Sequence, residues 1–302
     1  MKIAMRFYNI LLFLVLLPCA AISGEHPGPL VEAEWLQANL EKRELVVLDI
    51  RSPRKSRDFY AEGHIKGAVS APYNHGWRKT INGVVGMLPP VPEISEHIGS
   101  LGIGNNMHVV IAPFGNSSTD FSAATRIYWT FKVLGHNSIS ILNGGYAAWL
   151  SKGGKLSNEG VVPIPRRFEA VYQTNLVASE KEVFENLNTG AILVDARPAA
   201  QYEGKAKSPV VARAGTIPNS VNFRQSLLYN PKATTFLSQE RIDTSAQKLG
   251  LERQKSTIAF CNTGHWASIA WFALSEVSGR KDVKLYDGSM AEWTATAGNP
   301  IQ

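Results

Sequence analysis

Short, uninterrupted apolar runs alternate along this chain with longer segments whose apolar residues recur at helical spacing, and the whole alternation occurs twice. In the first half a helix-like stretch, Val31–Leu40, precedes a brief apolar run that ends in Asp49-Ile50-Arg51. A Gly-rich turn and another short strand follow, then a strand at Val109-Val110-Ile111 leading into a helix. The half closes with a strand at Ile139–Leu142 and a helix carrying Trp149. The second half keeps this order. A helix-like segment at Ser179–Leu187 comes before Leu193-Val194-Asp195-Ala196-Arg197, a strand at Ile258–Phe260 runs into a helix, and a strand at Val283–Tyr286 precedes a helix carrying Trp293. Short apolar strands alternating with helices predict α/β domains, each with a mostly parallel sheet covered by helices on both faces.

The two halves also match residue by residue. Gly144-Gly145-Tyr146-Ala147-Ala148-Trp149 pairs with Gly288-Ser289-Met290-Ala291-Glu292-Trp293 at an offset of 144, and Gly135 pairs with Gly279 at the same offset. Val47-Leu48-Asp49-Ile50-Arg51 pairs with Leu193–Arg197 at an offset of 146. Gly63-His64-Ile65-Lys66-Gly67 resembles Gly215-Thr216-Ile217-Pro218-Asn219. This is a tandem duplication and not a short-period solenoid. The stretch from Ser151 to Pro165 is rich in Gly, Ser, Lys and Pro and marks the junction. The expected organisation is a first domain at 24–155, a linker at 156–170 and a second domain at 171–302.

The first residues have a different pattern. Lys2 and Arg6 precede an unbroken apolar run from Ile10 to Leu17, followed by Pro18 and the small residues Ala20, Ala21, Ser23 and Gly24. That is the pattern of an export signal, 1–23, cleaved before Gly24. The run is short for a membrane anchor, which needs about 20 apolar residues. An uncleaved anchor and a lipid-bearing Cys19 stay open as alternatives, although Pro18 fits a lipoprotein box poorly. The expected destination is outside the cytoplasm, most simply a bacterial periplasm, with no stable membrane span once the signal is removed. Losing Lys2 and Arg6 would lower the formal charge from +6 to +4. With no run of five like charges, neither nucleic acid nor a membrane surface is an expected partner.

The chain has two cysteines, and removing the signal leaves only Cys261. One thiol cannot form an internal disulfide, and a buried inert cysteine is its ordinary role. The local sequence speaks against that role. Thr257-Ile258-Ala259-Phe260 leads into Cys261-Asn262-Thr263-Gly264-His265-Trp266-Ala267-Ser268, and the helix-like run Ile269–Leu274 leads out. A cysteine between a strand and a helix start faces backbone N–H groups whose dipoles favour the nucleophilic thiolate. Amides from Asn262 to Ala267 would cradle an anionic sulfur, and Gly264 would allow the tight curvature. The matching loop of the first half, Pro113-Phe114-Gly115-Asn116-Ser117-Ser118-Thr119-Asp120-Phe121, has no cysteine. Reactive chemistry is therefore expected in the second half alone.

Taken together, Leu193–Arg197, Gly215–Pro218, Cys261–Ser268 and Tyr286-Asp287-Gly288-Ser289 resemble the rhodanese family of sulfurtransferases, in its tandem form with a silent N-terminal domain. The resemblance covers nearly all of the expected mature chain. It implies transfer of sulfane sulfur through a Cys261 persulfide, from a small anionic donor, thiosulfate before 3-mercaptopyruvate, to a thiol or cyanide acceptor. No cofactor is implied. A persulfide carrier with weak turnover of small donors is the alternative. Phosphatases that open a similar loop with cysteine close it with a phosphate-clamping arginine, and here none follows until Arg280. A redox reductase would need a resolving cysteine. Thiosulfate-preferring members carry basic residues after the nucleophile, and mercaptopyruvate-preferring members carry small polar ones. Asn262-Thr263 with the bulky His265-Trp266 matches neither.

The candidate substrate-binding residues are Asn262, Thr263, Gly264, His265, Trp266, Ala267, Arg197 and Arg213. His265 is read as a ligand, an acid–base group or a cation beside the thiolate, against a plain loop residue. Trp266 is read as a pocket wall or an interface residue. Arg197 corresponds to an active-site arginine in the family, yet Arg51 occupies the same place in the silent half, so it is read equally as a structural ion pair found in both halves and as a group recruited for anion binding in the second. Asp195 and Asp287 are expected in turns or caps. His64, His75, His97, His108 and His136 show no ligand spacing, so no metal is expected. Trp149 and Trp293 are expected in the core.

Overall fold

The computed structural model describes residues 27–187 and 190–302. The expected leader, including Cys19, lies outside the described residues. Each half builds a five-stranded, all-parallel sheet. In the first, the spatial order is Leu30–Val31, Ile139–Leu142, His108–Ala112, Leu45–Asp49, Val69–Ser70. In the second it is Val177–Ala178, Val283–Tyr286, Thr257–Phe260, Ile192–Asp195, Val221–Asn222. The strand orders are equivalent, as the duplication requires. His108–Ala112 and Thr257–Phe260 are the central strands, so the loops that follow them leave from the carboxyl edge of each sheet, where α/β folds place their crevices.

Two helix boundaries differ from the sequence pattern. The helix expected from Val31 begins at Ala33, because Leu30–Val31 is recruited as an edge strand against Ile141–Leu142. The helix expected at Ser179–Leu187 spans Glu180–Glu185, with the Ser179 hydroxyl accepting from the Glu182 amide at 3.2 Å as an N-cap.

Helices cover both faces of each sheet, but unequally. On the outer faces lie two smaller clusters, one around Trp149 with Leu36, Val47 and Val110, the other around Trp293 with Val183, Ile258 and Phe260. The inner faces share a single large cluster, which contains Ile111 and Phe121 of the first half and Ala259, Ile269 and Phe272 of the second. At its centre the helix Ser118–Val133 packs against the helix His265–Phe272. Both are buried around nearly their whole circumference, and in Ser118–Val133 this includes a polar side formed by Ser122, Thr125, Arg126 and Thr130. Tyr128 and Phe272 meet edge to face at 4.9 Å, and the hydroxyls of Thr125 and Ser268 hydrogen-bond at 2.8 Å.

The connector is more ordered than a Gly- and Pro-rich linker suggests. Leu156–Ser157 pairs antiparallel with His64–Ile65. Farther on, the Arg166 amide donates to the Gly99 carbonyl (2.9 Å), Val171 to Leu134 (3.0 Å) and Gln173 to Val133 (2.7 Å). Residues 156–173 are thus strapped along the first domain, which supplies the partners that their backbone groups require. Among the described residues no helix is long and apolar enough to cross a membrane.

Candidate active site

Cys261 follows directly on the central strand of the second sheet, and Gly264 caps the helix that begins at His265. Gly264 has φ +73°, and a Cβ there would lie 2.4 Å from Arg126 Nη1. Only glycine suits that position, by conformation and by space. The loop is held from the far side by the Tyr286-Asp287-Gly288-Ser289 segment. Ser289 Oγ accepts from the amides of Cys261 and Gly264, both at 3.1 Å, and donates to the Tyr286 carbonyl at 2.8 Å. The amides of Met290 and Ala291 donate to the carbonyls of Cys261 (3.0 Å) and Asn262 (2.9 Å). The amides of Asn262, Thr263, His265 and Trp266 have no acceptor among the described residues. Unpaired amides in a loop of this kind can accept an anion.

Cys261 is 1% exposed and borders a cavity of about 360 Å³. Asn262, Thr263, His265 and Trp266 also line it, joined by Ser208 and Val210 and, from the first half, by Arg78, Val85 and Gly86. The cavity therefore lies between the two halves. Asn262 Nδ2 donates to Gln201 Oε1 at 2.9 Å, which turns its side chain toward the second domain.

His265 and Trp266 reach toward the first half. Tyr73 Oη hydrogen-bonds His265 Nδ1 at 2.8 Å, and Trp266 Nε1 donates to Thr119 Oγ1 at 3.2 Å. The His265 imidazole is pushed down to about 3, first by desolvation and then by the positive charges of Arg78 and Arg126. It is neutral at ordinary pH, and the expectation of a cation beside the thiolate is corrected: the positive charge near the loop belongs to the two arginines. Arg126 is fully buried, paired with Asp287 Oδ1 at 2.5 Å and stacked over Trp129 at 4.5 Å. Asp287 Oδ2 also accepts from the Leu88 amide at 2.7 Å. Asp287 is thus an interdomain tie, where the sequence suggested a turn or cap.

Neither Arg197 nor Arg213, both expected to bind substrate, is among the residues that line this cavity. Arg197 is fully buried and bonded to the Asp195 carboxylate at 2.6–3.0 Å and to the Gly215 carbonyl at 2.7 Å. Arg51 repeats the arrangement with Asp49 and the Gly63 carbonyl, so the pair braces the strand end in both copies. Arg213 donates to the carbonyls of Trp293, Thr294, Thr296 and Asn299, closing the C-terminal end of the helix Ser289–Ala295. The residue that sequence reasoning missed is Arg78. It lies in the half without a cysteine, far from the loop in sequence, and no local motif marks it.

The matching loop of the first half is occupied by its own acid. The amides of Phe114, Gly115 and Asn116 donate to the Asp120 carboxylate at 3.2, 2.5 and 3.4 Å. Burial raises the Asp120 carboxyl above the usual carboxylate range, against the lowering effect of those three amides. Among the described residues, no group of three or more His, Cys, Asp or Glu side chains could hold a metal ion.

These features define a two-domain α/β protein with a cysteine at the mouth of an amide-lined loop. The rhodanese-like domain model matches residues 32–152 and again 179–296, and the chain belongs to that family of sulfurtransferases. Among its relatives, the thiosulfate sulfurtransferase of Cricetulus griseus is 31% identical over 282 residues, covering 87% of this chain and 91% of the relative. The sulfur carrier protein TtuD of Thermus thermophilus is 29% identical over 289 residues, covering 91% and 97%. The crystal structure of SseA from Escherichia coli, a 3-mercaptopyruvate sulfotransferase, superposes with a TM-score of 0.76 at 26% identity, covering 87% of this chain and 98% of that one.

Proposed function

We propose that this protein moves sulfane sulfur from thiosulfate to a thiophilic acceptor through a persulfide on Cys261, and that the first domain carries no chemistry of its own. The observation that carries this reading is a thiol bordering a cavity at the start of a loop in which the amides of Asn262, Thr263, His265 and Trp266 lack acceptors among the described residues. In the first half-reaction the Cys261 thiolate attacks the outer sulfur of thiosulfate. The sulfur–sulfur bond of the donor breaks, sulfite departs with the bonding pair, and the new persulfide anion is left among the amides of Asn262, Thr263, His265 and Trp266. In the second, cyanide or a thiolate attacks that outer sulfur and Cys261 leaves as the thiolate. Electrons balance in both steps without an outside oxidant. The Asp120 carboxyl group in the first-half loop supports a silent domain, because it already takes up the matching amides.

The test is sulfite release with thiosulfate and cyanide, compared with pyruvate release from 3-mercaptopyruvate. Sustained turnover with thiosulfate, abolished in Cys261→Ser, is the expected result. A single stoichiometric burst favours the carrier reading, for which the likeness to a sulfur carrier protein is the supporting observation. Failure of reduced Cys261 to gain sulfur from either donor overturns both. We further propose that the protein is exported to the periplasm, on the strength of the 1–23 pattern. Cell fractionation and the mass of the mature N-terminus test that placement.

A further inference from the structure

The donor cavity draws its positive charge from the domain without a cysteine. Of the residues that line it, Arg78 is the one with a permanently charged side chain, and no carboxylate is among them. Arg78 leads into a hairpin whose strands are Lys79–Ile81 and Val84–Met87, turning at Asn82-Gly83. Its side chain doubles back over that hairpin. Nε donates to the Gly86 carbonyl at 3.0 Å, and Nη2 crosses to the catalytic loop and donates to the Thr263 carbonyl at 2.5 Å. The approach is so close that a Cβ on Gly86 would lie 2.0 Å from Arg78 Nη2. A guanidinium has five N–H donors, so these two bonds leave others toward the cavity and Tyr73. The other polar side chains at the site do not supply charge. His265 is held neutral, and Arg126 is already paired with Asp287. Arg197 and Arg213 are committed elsewhere.

We propose that Arg78 is the donor-binding cation of this active site, delivered across the domain boundary by the 79–87 hairpin, and that it selects donors with an anionic group next to the transferred sulfur. This rests on the sulfurtransferase reading and adds to it a residue and a substrate class. Attack by the Cys261 thiolate on thiosulfate places negative charge on the departing sulfite as well as on the persulfide. The backbone amides face the persulfide, and Arg78 is placed to hold the leaving oxyanion. The guanidinium fork suits a sulfonate or a carboxylate, where a point charge would bind with less geometric fit. The domain without a cysteine then contributes half of the substrate site.

The experiment has two arms on the full-length protein. In the first, thiosulfate binding is measured by calorimetry on Cys261→Ser and on Cys261→Ser/Arg78→Met. Binding about tenfold or more weaker in the double variant is expected from the loss of a charge-assisted contact. In the second, steady-state kinetics compare wild type, Arg78→Met, Arg78→Lys and Gly86→Ala with thiosulfate and with an uncharged dialkyl trisulfide as donor, a small thiol being supplied with the trisulfide to take its second alkylthio group and leave Cys261 as the persulfide. Arg78→Met and Gly86→Ala should raise KM for thiosulfate by about tenfold and weaken its salt dependence. Arg78→Lys should recover part of the loss, and sulfur uptake from the trisulfide should change less than about twofold. Equal thiosulfate binding with and without Arg78 overturns the proposal. So does an equal loss with charged and uncharged donors, which would mean that Arg78 only holds the loop in place. If wild type accepts sulfur from no donor, the sulfurtransferase reading falls, and the binding arm still decides whether Arg78 holds the anion.

Discussion

Ser289 has a left-handed backbone, φ +51°, at a fully buried position, and its one hydroxyl serves two loop amides and a carbonyl. Such strain persists only where the surroundings over-determine it. Ser289→Ala leaves the Cys261 and Gly264 amides without an acceptor and should cost about 1–3 kcal/mol. Sulfur uptake should slow as well, since the loop loses its anchor. Ser289→Gly removes the same hydroxyl but relieves the backbone, so it should melt above the alanine variant in thermal denaturation. His265 predicts a pH effect. Its imidazole titrates near 6.5 when free and about 3 when folded, so the unfolded chain binds the extra proton first. Stability contributed by neutral His265 is complete above about pH 6.5 and is lost as pH falls toward 3. Thermal midpoints of His265→Gln between pH 7 and pH 4 should fall less steeply than those of wild type. At this scale Cys261 and its amides were legible, because strand, cysteine, glycine and helix are contiguous. For Arg197, the repeat in Arg51 pointed to a brace, and the structure contains that brace in both halves.

Between elements, the decisive contact is the one between the helices Ser118–Val133 and His265–Phe272, with Arg126 and Asp287 at its edge. A buried ion pair is costly to break singly, because the surviving charge has no solvent. Arg126→Met should destabilise by about 3–5 kcal/mol, whereas Arg126→Met with Asp287→Asn should cost less than either change alone would suggest. Urea denaturation of the three variants and wild type gives the coupling. The hairpin at 79–87 shows where sequence reading stops. Asn82-Gly83, with φ +49° and +81°, is a strong two-residue hairpin signal between apolar residues. The turn could be read from that dipeptide. That it delivers Arg78 to Thr263 depends on how two domains pack, and no local pattern encodes that. The connector shows the same limit. Its composition reads as flexible, but the carbonyls of Gly99, Val133 and Leu134 fix its path.

Across the whole molecule, one apolar cluster joins the inner faces of both sheets, so neither half has a complete core of its own. Heating should therefore produce a single transition with equal calorimetric and van't Hoff enthalpies, where two independent domains would give two. A chain limited to residues 171–302 would expose Ile269, Phe272 and their neighbours, and should be aggregation-prone. The duplication, the class of each domain and the lack of a cysteine in the first-half loop were all visible in the sequence. The size of the shared interface was not, since Ser122, Thr125, Arg126 and Thr130 give the helix Ser118–Val133 a polar side that would ordinarily face water and is here fully buried. The carboxylate of Asp120 carries one more consequence. After a gene segment is copied, the spare site is usually pictured as decaying into an empty relic. Here the matching amides are already engaged by the Asp120 carboxyl group, so a thiol placed at the mouth of that loop would find no free donors among them. Reversal would need both an added nucleophile and a removed acid, and neither change helps without the other. On the proposed function, that two-step barrier is a physical reason for the two loops to stay different.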